Sequence, residues 1–453
     1  MHDCFSIQVT SFHYSHYICK KIILLYCILF HMFGLSSFIR HITHISKYAL
    51  PFFIRNNKDV RLQLSESVQN YFDSTITKKG NIEFLCSTNG NENDIYLNHN
   101  DYLNLSFDHR LIHLNGNNET SLRDKQGSDN LMSGTFLHED CFQYRVANLL
   151  AEKVLNKESI YLTQSGYLAN YSLLQSIVVP GKTHVYMDNS AHESLWQGAN
   201  RGIIHRIKHN SLEHLEENLK KYGSGIIVID SLYSSRGSIA HLSEICQLKE
   251  KYSCLLVVDE SHSIGIYGDH GRGLAALTNV TDKIDFITGS LAKAYCVRAG
   301  FIAGPTKHVL YVRETSSAAI FSSTLMNSDL QRLRRVIDII YHADQQRQTL
   351  LNISKIIRQA AIDLRFKIEK PIYPSPIISI IGGPYHLTKN LQAIFENHRI
   401  APAIFIPPAT PVNQSILRLT LHANLSHQDI NTIIKTFEFI AQRRKDFPYT
   451  FQS

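Results

Sequence analysis

Lys293 stands in Gly289-Ser290-Leu291-Ala292-Lys293, 34 residues after the first residue of Asp259-Glu260-Ser261-His262-Ser263-Ile264-Gly265. Ala292, Ala294 and Tyr295 give this lysine an apolar setting, which suits an amine nucleophile better than a solvated surface charge. Two further signals come earlier in the chain, Ser165-Gly166-Tyr167-Leu168-Ala169-Asn170 and Asp188-Asn189-Ser190-Ala191-His192. Each alone is modest: the competing readings are a surface lysine, a turn or helix-capping aspartate at Asp259 and a core histidine at His192. Their common order makes a site the better account.

The elements that must position these residues follow from the hydrophobic pattern. Between about residues 155 and 305, short apolar runs alternate with amphipathic stretches of helical length, which predicts βαβ units and a mainly parallel sheet. The runs 185–188, 226–230, 255–259 and 286–288 are continuously apolar, as strands covered on both faces should be, and three of them end in aspartate. Functional residues in open α/β sheets lie just beyond the carboxyl ends of strands, so Asp188, Asp230 and Asp259 are site candidates. The last third predicts strands over 375–381 and 416–421, a long helical stretch from about Asn327 to Ala361, and a Ser426-x-x-Asp429 capping box opening a helix to about Arg443. The glycine run from Gly265 to Gly273 follows an aspartate-terminated strand and falls in an exposed turn, which argues against a dinucleotide loop.

With 453 residues, 44% hydrophobic and 19% charged, the chain can bury a large core and is neither disordered nor a disulfide-stapled miniprotein. Of the net charge of +7, residues 1–60 carry +4, from six basic and two acidic residues, so the main body gives no electrostatic argument for nucleic acid. The eight cysteines include no C-x-x-C pair and read as thiols in a reducing, cytoplasmic setting. Histidine pairs such as His205/His209 lack convergent Cys, Asp or Glu partners, so no metal is expected. Residues 22–35 form an apolar run of 14 after Lys20-Lys21, shorter than the roughly 20 residues of a spanning helix. Residues 1–50 are therefore a basic, apolar extension, read as a membrane-surface anchor through residues 20–40, as an uncleaved span, or as a segment outside the working protein with translation starting at Met32.

Taken together, the four signals resemble the α-oxoamine synthases, pyridoxal-phosphate enzymes of fold type I, over roughly residues 95–440. The resemblance implies an α/β fold with a mainly parallel central sheet and a smaller α+β C-terminal domain. Its boundaries would be an N-terminal extension (1–50), an N-terminal arm (51–105), a cofactor-binding catalytic domain (106–335) and a small domain (336–453). It also implies that Lys293 links the cofactor, that Asp259 keeps the ring nitrogen protonated and that His192 stacks on the ring. Gly166, Tyr167 and Ser290 would hold the phosphate, with Ser323 contributed by the other subunit of a homodimer. Ser234 and His262 would lie near the ring oxygen and Lys293, and Asp230 replaces a glutamate common in the family.

Arg418, in Leu417-Arg418-Leu419, would clamp a substrate carboxylate, because a guanidinium fork fixes a carboxylate's plane through two parallel bonds. The alternative is an exposed strand arginine. Asn100, in Asn100-Asp101-Tyr102, would stand near the substrate. Two stretches depart from the family. Ala294, Cys296 and Arg298 interrupt the glycine-rich run after the lysine and reshape the entrance, and Ser128 to Thr135 lacks the usual Gly-Gly-Ser-Arg. Those departures are similar to the α-hydroxyketone autoinducer synthases. The expected activity is condensation of an acyl-CoA with a small α-amino acid or S-adenosylmethionine, giving the precursor of a quorum-sensing autoinducer. The alternatives are an 8-amino-7-oxononanoate synthase, or a non-catalytic membrane-associated partner subunit.

Overall fold

The computed structural model describes residues 65–70, 73, 94–112, 133–134, 137, 141–407 and 409–452. The expectations placed on residues 1–50, on membrane contact through 20–40 and on the 128–132 run lie outside them. Met1–Phe84 forms one compact unit, in which residues 65–70 are a short exposed helix, and Leu85–Ser453 forms a second. No helix among the described residues is long and apolar enough to cross a membrane.

Among the described residues, the second unit holds two sheets. The smaller begins with β1 (Ile95–Leu97). The larger comprises β2 (Ser159–Thr163), β3 (His184–Asp188), β4 (Ile203–Ile207), β5 (Ile226–Asp230), β6 (Leu255–Asp259), β7 (Phe286–Ser290) and β8 (Gly300–Gly304), in the order β2-β8-β7-β6-β5-β3-β4. Helices α1 (Gly166–Ile177), α2 (Glu193–Ala199), α3 (Leu212–Tyr222) and α4 (Leu242–Lys251) supply the crossovers that parallel neighbours require. Every residue of β5 is buried, in keeping with its apolar run. Only Leu291–Ala299 separates β7 from β8, which is too short for a helical crossover, so β8 runs antiparallel to β7. Lys293 rides on that short connection.

The small sheet has the order β1-β10-β11-β9, with β9 (Ile377–Gly383), β10 (Ile400–Phe405) and β11 (Ser415–Thr420) antiparallel and β1 parallel to β10 at its edge. β9 starts at Ile377 rather than 375. Pro376 has no amide to donate, and the Ser375 carbonyl accepts from Arg358 at 2.9 Å. The helical stretch expected from Asn327 to Ala361 is two helices, α5 (Asn327–Tyr341) and α6 (Asp344–Asp363). It breaks where His342 and Ala343 tighten onto Ile339 and Ile340 and Arg347 takes the Ile340 carbonyl at 2.6 Å. The capping box is present: Ser426 and Asp429 exchange both bonds at the start of α7 (His427–Gln442).

Candidate active site

The carboxyl edge of the large sheet lines up Asp230, Asp259 and Thr288 as register partners on β5, β6 and β7. Asp259 is 3% exposed, and its carboxylate accepts from Asn170 Nδ2 at 2.6 Å and from the Ser261 amide at 2.7 Å. Both donors are neutral. Asn170 also donates to Ser194 Oγ at 2.9 Å and accepts from Thr288 Oγ1 at 2.5 Å, which locks α1 to β6 and β7. Asn170 is a functional position not anticipated by the motifs, although it lies one helical turn after Gly166 within the quoted run.

Asp230 accepts the His192 amide at 3.0 Å, and burial, with the Asp259 charge beside it, pushes its carboxyl well above the usual range. His192 caps α2, and its Nδ1 meets Ser194 Oγ at 2.7 Å, which fixes the ring at the start of that helix. Desolvation by the surrounding walls holds the His192 pKa down, with Asp259 opposing and Lys293 adding to the effect.

Lys293 sits in a loop closed by the Leu291 amide on the Ala299 carbonyl (2.8 Å) and the Val297 amide on the Leu291 carbonyl (2.9 Å). Of the neighbours expected to give Lys293 an apolar setting, Ala294 and Tyr295 are buried, as is Leu291, while Ala292 is exposed. Removal of water from the amine brings its pKa down to about 8, against the pull of Asp259 and Asp230. Cys296 adopts a left-handed φ of 50°, a conformation that favours glycine, and its thiol reaches Asp101 Oδ1 at 3.1 Å. Cys296 and Arg298 line a cavity of about 320 Å³ with His99, Asn100, Ser106 and Ala292.

Helix α1 begins at Gly166, with Ser165 as its cap accepting from the Leu168 amide, so the Gly166 and Tyr167 amides are free to meet an anion. The Tyr167 side chain is exposed. A Cβ at Gly166 would lie 2.6 Å from Ser290 Cβ and 2.8 Å from Ser290 Cα. Gly166→Ala is therefore expected to force β7 and α1 apart and to cost about 1–3 kcal/mol of stability. An unchanged urea midpoint would contradict this packing. Ser290 receives the Ala292 amide on Oγ at 3.3 Å. Ser323 is exposed, and its carbonyl accepts from Gln164, two residues before Gly166.

At the other side of the site, Arg418 of β11 is 6% exposed, and its two bonds go to neutral oxygens: the Ser234 carbonyl (3.0 Å) and Asn100 Oδ1 (3.4 Å). Its Nε is buried without a partner, so the fork retains donor capacity for an anion. The alternative of an exposed strand arginine does not hold. Asp101 accepts the Leu105 and Ser106 amides at 2.9 Å each and so fixes the segment that carries Asn100. His262 is buried and bonded through Nδ1 to Tyr102.

A mainly parallel sheet that gathers Lys293, Asp259 and a helix-start anion cradle at its carboxyl edge defines a pyridoxal-phosphate enzyme of fold type I. The chain matches the aminotransferase class I and II family over residues 92–437 and belongs to it, as an enzyme of the α-oxoamine synthase type. A CAI-1 autoinducer synthase from Vibrio campbellii is 36% identical over 345 residues, which is 75% of this chain and 85% of that relative. An 8-amino-7-oxononanoate synthase from Lysinibacillus sphaericus is 27% identical over 367 residues, 78% of this chain and 92% of that one. A solved serine palmitoyltransferase carrying pyridoxal phosphate shares the fold, with a TM-score of 0.69 at 22% identity, covering 86% of this chain and 99% of that structure. The residues present fit this cofactor: a depressed lysine amine, a buried carboxylate with neutral partners, and free amides where a phosphate would bind.

Proposed function

We propose that the protein is an acyltransferase that condenses an acyl-CoA with a small α-amino substrate to make the amino-ketone precursor of an α-hydroxyketone autoinducer. Arg418 is the observation that carries this reading. A buried guanidinium with a free Nε, close enough to lower the Lys293 pKa, calls for a substrate with a carboxylate beside its amine. The higher identity of the autoinducer synthase, 36% against 27–30% for 8-amino-7-oxononanoate synthases, favours this product class. The gathering of Lys293, Asp259 and His192 at one edge argues against a non-catalytic partner subunit.

Bound pyridoxal phosphate supplies a protonated ring that spreads negative charge away from the substrate α-carbon. Lys293 would hold the cofactor through Nζ, Asp259 would face the ring nitrogen and His192 the ring face. Gly166, Tyr167 and Ser290 would bind the phosphate. Ser234 and His262 would stand at the ring oxygen, and Arg418 with Asn100 would fix the substrate carboxylate. With the substrate amine bound, Lys293 Nζ would take the α-proton, which an amine with a pKa of about 8 can do near neutrality. The α-carbon then bonds to the acyl carbon, the thioester C–S bond breaks and CoA leaves as a thiol. Where the carboxylate is lost, carbon dioxide departs and a proton returns to the α-carbon. The cavity lined by Asn100, Cys296 and Arg298 gives the thioester a way in.

A homodimer, with Ser323 reaching the neighbouring subunit's phosphate, is supported by the exposed apolar side chains around it: Phe321 is 85% exposed and Met326 55%.

The test is α-proton exchange. In D₂O the holoenzyme should exchange the α-hydrogen of an amino acid or of S-adenosylmethionine, read as a one-dalton gain, and failure across such a panel would contradict the reading. Arg418→Lys keeps the charge but loses the fork. It should raise KM for the amino substrate about 10- to 100-fold and leave KM for the thioester within about twofold, and a KM that stayed put would remove the clamp. Cofactor capture by the apo-protein needs the free Lys293 amine, so its rate should climb as pH rises towards about 8 and level off above. A rate flat from pH 6 to 9, followed by stopped-flow absorbance, would count against it.

A further inference from the structure

Tyr102 is completely buried, and its hydroxyl lies 2.6 Å from His262 Nδ1. The two rings meet edge to face, with centroids 6.2 Å apart. A buried phenol must place its own proton, and this imidazole nitrogen is the acceptor the structure offers. Were Nδ1 protonated and donating instead, the phenol proton would have no acceptor among the hydrogen bonds of the described residues. Burial pushes the phenol pKa up, and burial with the Lys293, Arg418 and His192 charges holds the imidazole well below its ordinary value, so both groups are neutral. With Nδ1 accepting, the ring proton belongs on Nε2.

We propose that Tyr102 is a positioning residue that holds His262 as its neutral Nε2–H tautomer and so gives the site a fixed donor for the cofactor's ring oxygen. This rests on the placement of His262 at the ring oxygen given above. An untethered imidazole would divide its population between two tautomers, and only one of them can donate from Nε2. Tyr102 acts at a distance from the reacting atoms, through the nitrogen it touches. The titratable and charged groups that face His262 are Tyr102, Lys293, Arg418 and His192.

The first measurement uses the full chain without cofactor, labelled with ¹⁵N-histidine, His262 being assigned by the signal lost in His262→Gln. Wild-type protein at neutral pH should show unprotonated Nδ1 and protonated Nε2, and Tyr102→Phe should show a mixture. A wild-type Nδ1–H tautomer overturns the proposal, and that result is decisive even where Tyr102→Phe fails to fold.

The second measurement follows the visible band of the holoenzyme. Loss of the fixed donor should raise the pH midpoint of the band by about one unit in Tyr102→Phe, lower kcat about tenfold and leave KM within about threefold. In a His262→Gln background Tyr102→Phe should add nothing, and a further shift there overturns the claim that Tyr102 works through His262. If the tautomer depends on Tyr102 while the band does not move, it is the placement of His262 at the ring oxygen that fails.

Discussion

Lys293→Ala is expected to abolish turnover, together with the visible absorbance that the wild-type protein should acquire with pyridoxal phosphate. Two functions leave together, the covalent hold on the cofactor and the base for the α-proton, so kcat should fall by at least about a thousandfold. The fold should survive. Removing a partly desolvated amine relieves the cost that lowers its pKa to about 8, and Leu291, Ala294 and Tyr295 keep the loop packed. A folded variant that retained the band or the turnover would remove Lys293 from the chemistry.

Asp259→Asn is the second large loss, and of a different kind. Asn170 Nδ2 and the Ser261 amide donate to different carboxylate oxygens, Oδ2 and Oδ1, so the single amide oxygen of the variant keeps one of these bonds while the negative charge disappears. Without that charge the ring nitrogen is no longer held protonated, and kcat should fall about a thousandfold, equivalent to about 4 kcal/mol of barrier. Cofactor affinity should change by less than about tenfold, since the phosphate cradle and Lys293 remain. A second readout separates this from misfolding. Asp259 raises the Lys293 pKa, so in the variant the pH profile of cofactor capture should move to lower pH. Near-normal kcat with an unmoved profile would show that Asp259 does not face the ring.

Much of this site was legible because parallel strands announce themselves. The runs ending in Asp188, Asp230 and Asp259 have both faces covered, so they are apolar throughout, and the polar residue that follows can only lie at the sheet edge. Gly166 was named through the family resemblance alone, and its close approach to Ser290, too tight for a side chain, came only from the fold. Asn170 was not legible, because a polar residue within a helix carries no mark of what it will touch; its partners come from α2, β6 and β7, distant in sequence. The same holds for the contact between Tyr102 and His262, 160 residues apart, although His262 itself was named through the resemblance. β1 was invisible as a strand, since three residues show no periodicity and gain their partner only from β10. The break between α5 and α6 depends on Arg347 reaching the Ile340 carbonyl, a contact that helical propensity does not encode.

The central claim is carbon–carbon bond formation with release of CoA, as distinct from the amino-group exchange that the wider aminotransferase family also carries out. The most direct measurement gives purified holoenzyme an acyl-CoA together with an α-amino acid or S-adenosylmethionine. It follows free thiol and the mass of the product in the same tube. The account predicts thiol released only when both substrates are present, in step with an amino-ketone carrying the acyl chain. Transfer of the amino group to an oxo-acid, with the thioester left intact, would contradict it.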